Sequence, residues 1–113
     1  MKTILFFFLV LSTSLVFSGT LECQLTDHNQ VVLTQTVEIK NNQAEIELGP
    51  YDRFNSITGF FETNDSYHIL WVYALSPEKT KTSNLGSLEV ELQLEGKTAN
   101  PILVYCKANY DSK

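Results

Sequence analysis

Histidine is the side chain best suited to moving protons near neutral pH, and this chain has two, His28 and His68. Neither sits in a pattern that does chemistry by itself. Asp27-His28 falls where the sequence turns, and His68 opens an apolar stretch. Nucleophilic or general-base catalysis needs a nucleophile and an orienting group within hydrogen-bond reach of the imidazole, and no local spacing supplies them. The expectation is a surface His28 and a partly buried His68 with its hydrogen bonds satisfied. A two-histidine metal site completed by Asp27 or Asp65 has no ligand spacing behind it. Among the carboxylates, Asp52 with Glu62 and Glu45 with Glu47 look most like acid–base couples. The second pair alternates along a strand and points to one solvated face. Glycosidase-type chemistry needs two carboxyls across a deep cleft, for which a chain this short has little room. There is no G-x-S-x-G elbow, phosphate-binding loop or H-E-x-x-H helix. The sequence therefore leads to a non-enzyme with no cofactor and no metal. Asn64-Asp65-Ser66 matches a glycosylation sequon, which matters only in a eukaryotic secretory pathway.

The other reactive residues are Cys23 and Cys106, the only cysteines. Whether they pair depends on the compartment, and the first eighteen residues bear on that. Met1-Lys2 is a short basic start, Ile4 to Leu11 run without a polar residue, and Ser18-Gly19 are small. This is the order of a secretory signal peptide, with Val16 and Ser18 placed for a cut after Ser18. The alternative, retention as a membrane anchor, has a stretch well short of the roughly 20 apolar residues a span requires. Residues 1–18 are thus read as a cleaved signal peptide and residues 19–113 as the mature domain, secreted or periplasmic. In an oxidising compartment Cys23 and Cys106 are expected to bond, and two buried free thiols are the alternative. Closing so long a loop is worth roughly 4–5 kcal/mol in the chain-entropy model.

The net charge is −5, and the acidic residues are dispersed without a block of like sign. That suits a solvated surface. It argues against nucleic acid and anionic membranes as partners, because the chain carries no basic patch to attract either.

The remainder reads as strands. Val31 to Lys40 alternate with period two, Asn41-Asn42-Gln43 signals a turn, and Ala44 to Leu48 alternate again, so the two runs are expected to form one hairpin. Gly49-Pro50 stops the second run. A strand follows over Phe54 to Thr63, with Gly59 as a candidate bulge. Tyr67 to Leu75 is apolar on both faces, which marks a central strand. Ser76 to Gly86 reads as the longest polar loop. Leu88 to Glu95 alternates strictly enough to be strand although Leu and Glu favour helix, and Ile102 to Lys107 is the last strand. With a short first strand over Leu21 to Thr26, about seven strands result. The fold class is a single small antiparallel β-sandwich, all-β, with a disulfide joining the first and last strands. It resembles the immunoglobulin sandwich in architecture alone, since Cys23 lies far upstream of Trp71, not about a dozen residues before it.

Aromatic residues stand above background. Tyr51, Phe54, Phe60, Phe61, Tyr67, Trp71, Tyr73, Tyr105 and Tyr110 are expected mostly in the core, with Trp71 between the sheets. The opposite face of its strand, carrying Leu70 and Val72 and extended by Phe61, then becomes the candidate interaction surface. The function expected is a small exported binding or interaction module, partnered by another protein or a surface ligand. It would work through one sheet face or through the loops at Tyr51–Arg53 and Ser76–Gly86. The alternatives are an inhibitor of an extracellular hydrolase, a small hydrolase and a structural envelope component.

Overall fold

The computed structural model describes residues 19–110 except Asp65, Lys79, Thr98 and Ala99. The expected leader over residues 1–18, its cut after Ser18 and the role of Asp65 in a metal site lie outside the described residues. Among these described residues eight strands run in chain order: β1 Gly19–Asp27, β2 Gln30–Glu38, β3 Gln43–Glu47, β4 Ser56–Thr63, β5 His68–Leu75, β6 Lys81–Gly86, β7 Glu89–Glu95 and β8 Pro101–Tyr110. They form two four-stranded antiparallel sheets, ordered β2-β1-β8-β7 and β3-β4-β5-β6. The fold is all-β and packs as a sandwich. The second sheet is an uninterrupted meander, and the first is two hairpins joined by the pairing of the first and last strands.

Alternation decides which way each strand faces. In β7, Val90, Leu92 and Leu94 are buried between exposed Glu89, Glu91, Gln93 and Glu95. Leu21, Cys23 and Leu25 from β1 and Ile102, Val104, Cys106 and Ala108 from β8 complete that side of the core. The second sheet contributes Ala44, Ile46, Ile57, Phe61, Leu70, Val72 and Ala74.

Cys23 and Cys106 are directly opposite in the β1–β8 register, and they are bonded. Their Cα atoms are 4.1 Å apart, which suits the closer of the two alternating pair types in an antiparallel ladder, and they close a separation of 83 residues. The bridge therefore ties neighbours within one sheet, whereas the immunoglobulin bridge crosses between sheets. Gly59 explains how the buried sulfurs fit. A Cβ there would lie 2.7 Å from Cys23 Sγ and 2.8 Å from Cys106 Sγ. Pairing runs through Gly59 without a register break on either side, so the expected bulge is absent. The glycine is a clearance for the disulfide.

Two further expectations need correction. The runs on either side of Asn41-Asn42 make a tight turn, closed by reciprocal backbone hydrogen bonds between Lys40 and Gln43. Beyond that turn the strands part into opposite sheets and form a corner, not a hairpin. β3 buries Ala44 and Ile46, and β2 lays half-buried Leu33 and Val37 against the same core from the other sheet. Asn41 and Asn42 take φ of 55° and 64°, the left-handed region that asparagine tolerates well. The second correction is β6, which occupies most of the segment read as a polar loop. Its side chains are exposed apart from half-buried Gly86, so it carries no hydrophobic period, and the edge of β5 supplies its pairing.

Candidate functional site

The parity of β5 determines what the protein presents to its surroundings. Leu70, Val72 and Ala74 are fully buried, whereas Ile69 is exposed and Trp71, Tyr73 and Leu75 are half-buried on the outer face. Phe61, opposite Leu70, is fully buried too. Leu70, Val72 and Phe61 are therefore core, not an interaction surface, and Trp71 faces outward, not between the sheets. The reason is physical. The gap between stacked sheets is about 10 Å, and aliphatic side chains, Phe61 and the disulfide fill it. Trp and Tyr carry an N–H or O–H that needs a partner, so the outward face suits them better. Of the nine aromatics expected mostly in the core, only Phe54 and Phe61 are buried.

The outer face of the second sheet can be built row by row from its register. Glu45, Phe60, Trp71 and Leu85 lie side by side across β3, β4, β5 and β6. The next row is Glu47, Thr58, Tyr73 and Ser83. Gln43, Glu62 and Ile69 form the row on one side, and Ser56, Leu75 and Lys81 the row on the other. Leu85 is 62% exposed and Ile69 40%. The Trp71 and Tyr73 rings are 4.9 Å apart and tilted by 50°. The Lys81 ammonium sits 4.7 Å from the Trp71 centroid and 5.1 Å from that of Tyr73, within cation–π range of both. The result is an aromatic and aliphatic strip with carboxylates along one side. Just beyond β4, the Tyr67 hydroxyl donates to Glu62 Oε2 at 3.1 Å, and that bond pushes the phenol pKa upward.

Four connections gather at one end of the sandwich, those that follow β1, β3, β5 and β7. Tyr51 Oη donates to Asp27 Oδ2 at 2.6 Å, and His28 Nδ1 donates to Asp27 Oδ1 at 2.9 Å. The bond from Tyr51 holds the Asp27 carboxyl below its ordinary value, with help from His28 and against partial desolvation. The same bond raises the Tyr51 phenol. Asp52 Oδ1 accepts from the backbone N–H groups of Arg53 and Lys97, pinning two loops together. Arg53 reaches Glu78 at 3.8 Å, so the loops at Tyr51–Arg53 and after Ser76 do meet, over a cleft of about 340 Å³. The Glu78 backbone N–H, and after it the Ser76 hydroxyl, lower the Glu78 pKa against a little desolvation, with Arg53 adding to them. Each of these polar groups is engaged with another, and the arrangement serves to fasten loops.

The remaining candidates are scattered. His68 is half-buried at the opposite end, stacked on Phe61 and edge-on to Tyr110. Its Nδ1 is 2.5 Å from Thr63 Oγ1. The Thr63 hydroxyl gives its single proton to the Tyr67 carbonyl, so Nδ1 of His68 is the donor in their bond. His28 and His68 thus sit at opposite ends, as do Asp52 and Glu62 at the two ends of β4. Glu45 and Glu47 share the exposed outer side of β3. Among the described residues no three His, Cys, Asp or Glu side chains converge as metal ligands. No protein-family model matches this chain, and no curated protein or solved structure matches it.

Sequence reasoning found β5 and its two faces but assigned them the wrong way round. A signal was there: one face is Leu, Val and Ala, and the other carries Trp and two Tyr with polar atoms to satisfy. Lys81, Leu85 and the carboxylates of β3 were not connected to it, because that connection exists only through the register of four strands.

Proposed function

We propose that this chain is an exported, non-catalytic binding module that holds a partner protein on the outer face of its second sheet. The observation that carries the reading is the row Phe60–Trp71–Leu85, flanked by Ile69 and Tyr73, facing solvent on a sheet whose other side is fully packed. Contiguous apolar surface of this kind marks contact sites on soluble proteins, and Trp and Tyr dominate binding energy where they occur. The outer face of the first sheet is more polar, with half-buried Leu103 and Tyr105 set among Glu22, Gln24, Glu89, Glu91, Gln93 and Lys107. The disulfide is compatible with an oxidising extracellular or periplasmic location, and the amino-terminal pattern supports export.

A photo-crosslinking residue placed at Leu85 in the producing cells tests this reading, with the same residue at Gln24 as the control. A discrete crosslinked species is expected from position 85 and not from position 24. Equal products from both, or none from position 85, would overturn the assignment of the face.

A further inference from the structure

The chemistry of the partner can be read from the charges around the strip. Three carboxylates lie on this face, Glu45 and Glu47 from β3 and Glu62 from β4, all to one side of Trp71. The described cation on the face is Lys81, on the far side, and its ammonium lies against the Trp71 and Tyr73 rings. The other described cations are directed elsewhere: Lys40 reaches Glu38, Arg53 reaches Glu78, Lys97 lies in the connection after β7 with its backbone N–H on Asp52, and Lys107 stands between Glu22 and Glu89 in the other sheet. The acidic side of the strip therefore has no internal counter-charge among the described residues.

Resting on the reading of this face as the binding surface, we infer that its partner is a basic amphipathic polypeptide surface. Its apolar stripe lies on Phe60, Trp71 and Leu85, and its Lys or Arg side chains lie along Glu45, Glu47 and Glu62. A second copy of this chain fits poorly. Each copy brings the same three carboxylates against one lysine, so two such faces meet with like net charge, which association disfavours. The chain's overall charge of −5 acts in the same direction, drawing a basic partner in and holding copies apart. The aromatic pair already holds one ammonium, and exchanging it for a partner's cation preserves that attraction.

The chain has one tryptophan, so its emission reports on this face alone. The probes are three synthetic peptides that alternate leucine with lysine, serine or glutamate. The leucine–lysine peptide is expected to shift Trp71 emission saturably, the leucine–serine peptide to bind about tenfold more weakly, and the leucine–glutamate peptide not to bind. Replacing Glu45, Glu47 and Glu62 together by Gln should weaken the leucine–lysine peptide about tenfold. The triple change Glu22→Gln, Glu89→Gln and Glu91→Gln, on the other sheet, removes the same net charge and should weaken its binding by less than about twofold. Equal losses from the two triple variants would show attraction to net charge alone and overturn the inference. Equal affinity for the lysine and serine peptides overturns it while leaving the face as a binding surface. Failure of all three peptides together with a crosslink from position 85 likewise refutes the basic partner only. Failure of both experiments, or a stable dimer by sedimentation with its crosslink at position 85, refutes the basic partner, and the former removes the binding reading as well.

Discussion

A single hydrogen bond couples two groups of opposite behaviour in the Tyr51–Asp27 contact. Asp27 titrates below its ordinary value of 3.8, so the contribution of its ionised form is present above that pH and fades as pH falls through the folded value. Tyr51 titrates above 10.0, so its contribution is present below that pH and fades as pH rises through the folded value. Tyr51→Phe should therefore raise the Asp27 midpoint in a carboxyl NMR titration, and an unmoved midpoint would show the bond to be absent in solution. Gly59 is the other residue on which much depends. Gly59→Ala pushes a methyl group into both disulfide sulfurs, an overpacking worth about 2–3 kcal/mol. In a domain of this size, thermal unfolding should move down by about 10–20 °C. A shift of a degree or two would mean that the bridge yields easily.

At the level of elements, β5 is where sequence and structure part company most usefully. Neighbouring residues on this strand face opposite ways, so identical substitutions should have opposite costs. Leu70→Glu places a carboxylate in a fully buried site and should prevent folding or cost more than about 4 kcal/mol. Ile69→Glu, on the exposed face, should stay within about 1 kcal/mol by chemical denaturation. The reverse ranking would restore the orientation that the sequence suggested. Strands with one charged and one aliphatic face, such as β7, were legible residue by residue because Glu and Leu cannot exchange sides. A strand apolar on both faces has period two without polarity, and only the packing of the opposite sheet settles its direction. The edge strand β6 was illegible for the complementary reason: its exposed Lys, Thr, Ser and Asn read as a loop, and only pairing to β5 makes them a strand. Sheet membership of β2 and β3 was hidden as well, since a two-residue asparagine turn serves a corner as readily as a hairpin.

For the whole molecule, the disulfide closes a separation of 83 residues and joins the two hairpins of the first sheet at their shared ladder. Cys106→Ser should cost about 2–5 kcal/mol and lower the melting temperature by well over 10 °C, measured by calorimetry beside the unreduced chain. A melting point within a few degrees of the parent would show the β1–β8 ladder to be self-sufficient. This bridge was legible from two cysteines and an export pattern, whereas the proposed binding face was not, because it is assembled from four strands and reverses the simplest reading of one of them. Its role depends above all on Trp71 being open to solvent. Acrylamide quenching of this sole tryptophan, compared between native and unfolded protein, measures that openness directly. Outward placement gives native quenching that is a substantial fraction of the unfolded value and falls when the leucine–lysine peptide is bound. Native emission that acrylamide barely touches would put Trp71 inside and contradict the face, the partner and the function built on it.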